Sequence, residues 1–219
     1  MSSCSVIWDW NGTIVDDADL FVDIMNGFLK EKKLPLIDKQ KYREFFDFPI
    51  IDYYKKLGFS FEKESFESLG KRFIDVYKER RFESFLFDGV VDVFGFLKNH
   101  RVSQFVVSAQ ENGLLSGAVK YYNLSCFFKD FCGVENIFAK GKIEQGLFFK
   151  KKYLYNNNKL FVVGDSLYDF DLAKALGGIP VLVSYGHYNK QRLLKKNCVV
   201  VDSIDELELF FRREIKKVY

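Results

Sequence analysis

Two short apolar runs, far apart in the chain, each end in a glycine-containing turn that carries carboxylates. The first run, Val6 to Trp8, leads into the segment Asp9 to Thr13, which contains Gly12. The second run, Leu160 to Val163, leads into the segment Gly164 to Asp169. Each run is too short for a helix and is typical of a buried strand. Since ligands of open parallel sheets bind at the carboxyl ends of the strands, these turns constrain both the fold and the site.

The carboxylates of the two turns predict a cation site. Asp9 follows the first strand, and Asp165 and Asp169 follow the second one, four residues apart in the sequence. Three carboxylates at the ends of neighbouring strands repel one another unless a cation lies among them. Their oxygens suit a hard divalent ion that keeps some of its waters, so we expect Mg²⁺ as the cofactor.

The pattern beyond Gly89 predicts a doubly wound parallel sheet, because amphipathic helices alternate there with short apolar strands. We predict helices at 90–99, 112–122, 142–152 and 169–176, strands at 104–108, 131–134, 159–164, 180–184 and 199–201, and a terminal helix that includes Phe211. The predicted α/β core consists of residues 1–16 and 86–219.

Residues 17–85 do not follow this alternation. They contain four consecutive helical patterns, at about 17–33, 38–47, 49–58 and 61–83. A crossover between two parallel strands needs only one helix. The segment is therefore predicted to form a small helical bundle of its own, inserted between the first and second strands of the sheet.

Composition and charge exclude several classes of partner. The net charge of only +3 does not indicate the strongly basic surface that nucleic-acid-binding proteins have. No apolar stretch reaches the roughly 18 residues of a membrane span, and no N-terminal signal pattern is present. The four cysteines lack the paired spacing of a metal site, which fits buried or free thiols in a reducing compartment. We expect a cytoplasmic monomer or dimer that binds neither nucleic acid nor membrane.

Four segments of the chain, in this order, resemble the motifs of the haloacid dehalogenase-like hydrolase superfamily, most closely its phosphoglycolate-phosphatase-type branch. The family's Asp-x-Asp-Gly-Thr matches Asp9 to Thr13 with one departure, and its Gly-Asp-Ser-x-x-Asp matches Gly164 to Asp169. Ser108, which closes a predicted strand, matches the second motif, and Lys142 is the best match for the third, with Lys140 as a weaker candidate. The resemblance covers nearly the whole chain and implies a Rossmann-like core with a helical cap at 17–85.

The resemblance implies a role for each matched residue in phosphoryl transfer. Asp9 is the expected nucleophile, which attacks phosphorus to give an aspartyl-phosphate. Asp9, Asp165 and the backbone carbonyl of Asn11 are expected to hold Mg²⁺, while Asp169 holds the metal's waters or orients Lys142. The expected substrate-binding groups are the turn residues Gly12 and Thr13, the Ser108 hydroxyl, the neighbouring backbone N–H of Ala109 and the Lys142 ammonium.

Asn11 is the departure that matters for function. Phosphatases of this family have a second Asp at this position, which protonates the leaving oxygen and then activates water. An amide cannot exchange a proton at neutral pH, and general acid–base catalysis is worth roughly 10² to 10⁴ in rate. The substrate could therefore have a good leaving group, such as an acyl phosphate or pyrophosphate. Alternatively, water or a cap side chain supplies the proton, or the protein binds its ligand and turns it over slowly.

The sequence thus favours a Mg²⁺-dependent phosphatase of a small phosphorylated metabolite. The alternative is a phosphate-ligand sensor or regulatory protein on the same fold, which Asn11 motivates. A dehalogenase is disfavoured because the Asp165 and Asp169 pair suits a metal. A phosphonate-cleaving enzyme would need a reactive cap lysine, and nothing singles one out among residues 30–33. Substrate choice is expected to lie with the cap, whose segment 46–49 could reach the site, and His187 could line the rim of the pocket.

Overall fold

The protein is built on a six-stranded parallel sheet, as predicted. The computed structural model describes residues 4–134, 142–153 and 159–216. The sheet strands are β1 (Cys4–Trp8), β4 (Ser103–Glu111), β5 (Asp130–Val134), β6 (Lys159–Gly164), β7 (Ile179–Val183) and β8 (Val199–Val201). Their order is β5-β4-β1-β6-β7-β8, so the chain winds outward from β1 in both directions.

The central position of β1 places the first turn between two neighbouring strands. Trp8, the last residue of β1, pairs with Val106 of β4 on one side and with Val163 of β6 on the other. The backbone N–H of Asp9 continues this pairing and donates to the Val163 carbonyl at 2.8 Å. Both carboxylate-bearing turns therefore lie side by side at the carboxyl end of the sheet.

Helices cover both faces of the sheet. They are α5 (Val90–Asn99), α6 (Asn112–Tyr121), α7 (Lys142–Tyr153), α8 (Leu167–Leu176), α9 (Lys190–Leu193) and α10 (Ile204–Lys216). Successive residues of a strand point to opposite faces, so Ile7 and Trp8 belong to different cores. Trp8 packs against Phe94 and Phe211 in the apolar cluster on one face of the sheet. Ile7 lies with Phe105 in a separate apolar cluster on the other face.

Four helices form the insert between β1 and β4, which confirms the predicted bundle. They are α1 (Ala18–Glu31), α2 (Lys39–Phe45), α3 (Ile50–Lys56) and α4 (Phe66–Arg80). The bundle has an apolar cluster of its own, which also includes Leu182 and Tyr188 from the sheet side. We call these four helices and their connections the cap. The exact bounds of the two predicted domains remain a prediction.

A short antiparallel ribbon joins the cap to the core. Its strands are β2 (Val15–Asp16) and β3 (Phe85–Leu86), and Val15 pairs with Leu86. The sequence analysis did not predict it, because strands of two residues carry no periodic pattern. The chain thus enters and leaves the cap at one place. No helix in the described parts of the chain is long and apolar enough to cross a membrane.

Two predicted boundaries need correction. Strand β4 runs on to Glu111, with an irregular register against β5 after Val107, so Ser108 lies within the strand and does not close it. Helix α4 begins at Phe66 because Ser65 caps it, accepting a hydrogen bond from the backbone N–H of Ser68 at 3.2 Å. The other site lysine candidate, Lys140, lies outside the described residues.

The irregular end of β4 depends on the missing side chain of Gly133 in β5. A Cβ atom there would lie 2.2 Å from the Gln110 carbonyl oxygen and 2.9 Å from the Asn112 Cα atom. Backbone atoms cannot move aside, so Gly133→Ala is expected to lower the free energy of unfolding by about 1–3 kcal/mol. Urea denaturation measures this change.

The matched control is Gly95→Ala in α5. A Cβ atom at Gly95 would meet nothing within 4 Å. Alanine is the better helix former, so this variant should be neutral or more stable by up to about 1 kcal/mol. Equal destabilisation of the two variants would contradict the close approach at Gly133.

Candidate active site

Three buried carboxylates meet at the carboxyl end of the sheet. Asp9 follows β1, while Asp165 follows β6 and Asp169 lies in the first turn of α8. One oxygen of each carboxylate lies within 4.8 Å of the corresponding oxygens of the other two. The structure therefore brings together the three acids that the sequence analysis selected as metal ligands.

Lys142, the first residue of α7, lies between two of these acids. Its Nζ donates to Asp9 Oδ1 at 2.5 Å and to Asp169 Oδ1 at 2.6 Å, and the side chain is only 2% exposed. Burial acts to lower the pKa of Lys142, but the Asp169 and Asp9 carboxylates more than offset this and raise the pKa overall. Lys142 is therefore a fixed positive charge beside Asp9.

Asp169 holds this lysine in place. Its second oxygen, Oδ2, accepts hydrogen bonds from the Ser166 backbone N–H at 3.1 Å and from the Ser166 hydroxyl at 2.6 Å. The approach of Asp169 to β6 requires glycine at position 164, where a Cβ atom would lie 2.1 Å from Asp169 Cγ. These contacts favour the expectation that Asp169 orients Lys142.

The donor set fits a hard divalent cation. One lysine balances only part of the charge of three carboxylates, and burial, with repulsion from the other acids, raises the pKa of Asp9 to about 7 and of Asp165 to about 6. Two glycines leave room around Asp165, since a Cβ atom on Gly12 or Gly186 would lie 2.3 Å or 2.4 Å from its Oδ2. Oxygen-only ligands of high charge are those that Mg²⁺ prefers.

Asn11 is held by a buried acid that the sequence analysis did not select. Its Nδ2 donates to Asp17 Oδ2 and, at 2.7 Å, to the Tyr77 hydroxyl. The other Asp17 oxygen accepts the Gly12 backbone N–H at 3.1 Å, and Tyr77 donates to Asp17 Oδ2 at 3.2 Å. An aspartate at position 11 would place a second carboxylate against Asp17. The amide is therefore matched to its surroundings.

Asp17 was missed because it stands at the start of an amphipathic helix, where acids are common for electrostatic reasons alone. Its partner Tyr77 lies in α4, sixty residues further along the chain. The only signal in the sequence is a pair of acids, Asp16 and Asp17, directly after an apolar pair that follows the first motif.

His187 links Asp17 to the carboxylate cluster. Its Nε2 lies 3.2 Å from Asp17 Oδ1, its Nδ1 is 2.8 Å from the Tyr42 hydroxyl, and its backbone N–H donates to Asp165 Oδ2. Burial acts to lower the pKa of His187, yet the Asp17 and Asp165 carboxylates raise it overall. The ring is 4% exposed, so His187 belongs to the wall of the pocket and not only to its rim.

The remaining predicted substrate-binding residues fall into two groups. Ser108 and Ala109 line the same cavity as Asp9, and Ser108 Oγ accepts the Gln110 backbone N–H at 3.0 Å. Gly12 and Thr13 are buried in the turn behind that wall and are not among the described lining residues. Gly12 has a positive φ of 69°, a conformation that favours glycine.

The cap covers this cavity, whose volume is about 160 Å³. The Tyr188 hydroxyl donates to Asp47 Oδ1 at 2.5 Å, and Arg192 forms an ion pair with the same carboxylate at 3.0 Å. The ring of Phe48 stacks on Tyr168 with their centroids 5.1 Å apart. The segment 46–49 therefore reaches the site.

Comparison with known proteins identifies the family. The family model of haloacid dehalogenase-like hydrolases matches residues 6–183. The chain belongs to this family. A curated relative named "Probable phosphatase IndB", from Dickeya dadantii, is 23% identical over 208 residues, which cover 92% of this chain and 90% of that protein.

Solved structures of the same fold cover nearly the whole chain. A crystal structure described as a "predicted phosphatase" from Clostridium acetobutylicum has a TM-score of 0.79 at 19% identity, covering 96% of this chain and 98% of that one. A "predicted phosphoglycolate phosphatase" from Haemophilus somnus has a TM-score of 0.75 at 18% identity, covering 96% and 99%. These comparisons confirm the predicted family and fold and support the phosphatase class of enzyme.

The carboxylate cluster predicts how stability depends on pH and Mg²⁺. Folding raises the pKa of Asp9 and Asp165 from 3.8 to about 7 and about 6, so the folded protein holds protons that the unfolded chain releases. The stability of the metal-free protein should therefore fall as the pH rises from about 4 to about 7. Mg²⁺ at a hundred times its dissociation constant should add about 2.7 kcal/mol. Thermal unfolding with and without Mg²⁺ should show a larger rise in Tm near pH 7.5 than near pH 5.

The control for this prediction is Asp165→Asn, which removes one ligand and one charge. This variant should lose the rise in Tm with Mg²⁺ while the metal-free protein remains folded. An equal response of the wild type and the variant to Mg²⁺ would contradict a cation site at this cluster.

Proposed function

We propose that the protein is a Mg²⁺-dependent phosphatase that hydrolyses a small phosphorylated metabolite through an aspartyl-phosphate on Asp9. The observation that carries this proposal is the position of Asp9, a buried carboxylate on the cavity wall that lies beside Lys142 and two further acids. Family membership and the relatives named as phosphatases support the same reaction class.

In the proposed reaction, a carboxylate oxygen of Asp9 attacks phosphorus and the bond from phosphorus to the leaving oxygen breaks. Lys142 holds Asp9 Oδ1, which orients the carboxylate for attack. The Lys142 ammonium, the Ser108 hydroxyl and the Ala109 backbone N–H would bind the phosphoryl oxygens. Asp9, Asp165 and the Asn11 carbonyl would hold Mg²⁺, which when bound offsets the repulsion between carboxylate and phosphate. Water then cleaves the aspartyl-phosphate and regenerates Asp9.

The proton for the leaving oxygen has no free donor among the described groups around Asn11. His187 lines the cavity and has a raised pKa, but its ring nitrogens are already engaged, one 3.2 Å from Asp17 Oδ1 and the other 2.8 Å from the Tyr42 hydroxyl. The Asn11 amide donates to Asp17 and Tyr77 and cannot act as an acid. Burial and the neighbouring Asp17 carboxylate raise the pKa of Tyr77 well above its ordinary value, so its hydroxyl is a poor acid. This environment favours a leaving group that departs without protonation, which was one of the three interpretations of Asn11.

Phosphate release from a panel of esters and anhydrides tests the proposed reaction. We expect release that requires Mg²⁺, is abolished by a chelator and falls to background in Asp9→Asn. A phosphorylated Asp9, trapped at low pH and located by mass spectrometry, would show the covalent step directly. Release that persists in Asp9→Asn would contradict the proposed nucleophile.

The contact between Asn11 and Asp17 allows a sharper test of the missing acid. The double variant Asn11→Asp/Asp17→Asn exchanges the acid and the amide while keeping one carboxylate and one donor in the contact. It should raise the rate on alkyl phosphates, which need a proton on the leaving oxygen, by about 10² to 10⁴. Steady-state kinetics on an alkyl phosphate measures this change.

Two single variants serve as controls for the exchange. Asn11→Asp alone places two buried carboxylates in contact, so it should be less stable at neutral pH than the double variant. Asp17→Asn alone supplies no acid at position 11 and should not gain activity on alkyl phosphates. A double variant that is folded yet no faster than the wild type would show that general acid catalysis is not what limits the rate.

A binding or regulatory role is the second candidate, and Asn11 is the observation that favours it. Wild-type protein that binds a phosphorylated ligand with almost no turnover, together with a double variant that turns it over, would favour this role. Rapid Mg²⁺-dependent turnover by the wild type would exclude it.

A further inference from the structure

The wall that the cap contributes to the cavity carries no charge among the described residues. It consists of aromatic and aliphatic side chains and one glycine, with members from all four cap helices. Tyr42, Tyr53 and Phe73 are typical of it, and each is less than 9% exposed. The charged cap residues lie elsewhere; Arg43, for example, donates to the backbone carbonyls of Ser184 and Tyr188. The part of a substrate beyond the phosphate would therefore meet an apolar, aromatic surface.

The described lining of the cavity also offers no unpaired cation to an anionic substrate. Lys142 and His187 are the described lining residues that can carry positive charge. Lys142 is already paired with Asp9 and Asp169, and His187 with Asp17. Glu111, at the end of β4, lines the core side of the cavity and adds negative charge. A carboxylate on the leaving group would be buried without a partner, which is costly. The wall is thus poorly suited to a substrate such as phosphoglycolate.

The leaving group is constrained a second time by Asn11. With no acid at this position, the departing oxygen must be stable as an anion. A phenol has a pKa of about 10, far below that of an alcohol, and so leaves more readily without a proton. An aromatic ring attached directly to the phosphate oxygen would pack against the apolar wall. Its oxygen would also leave without being protonated by an acid at position 11.

We propose that the substrate is the phosphate monoester of an aromatic hydroxyl, a deepening that rests on the proposed phosphatase function. Asp9 bonds to phosphorus while the bond from phosphorus to the aryl oxygen breaks, and the aryl oxide departs with the electron pair. The aryl oxide takes a proton from solvent, and water hydrolyses the aspartyl-phosphate. The products are one phenol and one inorganic phosphate for each ester and water consumed.

The size and polarity of the cavity refine this substrate class. An apolar cavity of about 150 Å³ is known to bind benzene, so a cavity of about 160 Å³ is of the size that a single aromatic ring occupies. Tyr53 lines the cavity, and its buried hydroxyl has no hydrogen-bond partner among the described residues. A polar substituent on the ring would satisfy this hydroxyl.

Four substrates test separately the preference for an aromatic ring and the need for a good leaving group. Phenyl phosphate has both the ring and the good leaving group, whereas benzyl phosphate has the ring with an alkyl leaving group. Acetyl phosphate has a good leaving group without a ring, and phosphoglycolate has neither. With Mg²⁺ we expect phenyl phosphate to exceed benzyl phosphate in kcat by about 10². Its KM should be at least about tenfold below that of acetyl phosphate, and its kcat/KM at least about 100-fold above that of phosphoglycolate.

Each outcome of this panel decides between the two proposals. A KM for acetyl phosphate or phosphoglycolate as low as that for phenyl phosphate would overturn the aromatic substrate while leaving the phosphatase intact. Equal kcat for phenyl and benzyl phosphate would overturn the argument from the leaving group. If none of the four gave release that Asp9→Asn abolishes, the proposed function itself would fail, and the substrate class with it.

A matched pair of variants in α4 tests the apolar wall independently. Ile74 lines the cavity, whereas its neighbour Asp75 is exposed. Ile74→Lys adds a positive charge and Asp75→Asn removes a negative one, so each variant raises the net charge of the same helix by one. Ile74→Lys should raise the KM for phenyl phosphate and lower that for phosphoglycolate, each about tenfold. Asp75→Asn should change neither. Unchanged KM values in a folded Ile74→Lys variant would overturn the proposed role of the cap wall.

Discussion

The site depends on a buried charge imbalance, in which three carboxylates share one lysine. Lys142 contacts Asp9 and Asp169 directly, and no second lysine or arginine joins the cluster in the described part of the chain. Buried charges are costly unless they are paired, so such a cluster persists only where the surrounding structure holds it. The pairing of β1 with β6 fixes two of the acids, and the start of α8 fixes the third. The charge that remains is what a divalent cation and the phosphate it accompanies would meet.

Asparagine in place of the family's usual aspartate at position 11 is part of the same balance of charge. A second acid there would face Asp17, which is fully buried and already accepts hydrogen bonds from Gly12 and Tyr77. With asparagine, the contact becomes a hydrogen bond between an amide and a carboxylate. The Asn11 amide thus completes a satisfied hydrogen-bond network with Asp17 and Tyr77, to which a second acid would not be matched.

The fold and the acidic cluster could be predicted from the sequence because both depend on local patterns. Short apolar runs that end in glycine turns located Asp9 and Asp165, and helical periodicity located the cap. The contacts made by Asp17 and Tyr77 could not be predicted, since they arise only when the cap closes on the core and join residues sixty positions apart. The ribbon of β2 and β3 escaped detection because two-residue strands have no period. Sequence patterns therefore gave the parts of the core, while the fit between cap and core required the structure.

Core and cap constrain different halves of the same reaction. In the proposed reaction the core would supply the nucleophile and its cation-binding acids, which would act on the phosphoryl group whatever it is attached to. The cap would close over the leaving group and offer it aromatic rings without a compensating charge. Asn11 lies where these two surfaces meet, and in the proposed reaction its inability to donate a proton favours a leaving group that needs none. The same chemical class, an oxygen attached to an aromatic ring, satisfies the requirement of the core and that of the cap. Since the two requirements come from separate elements of the structure, their agreement is what makes the substrate class specific.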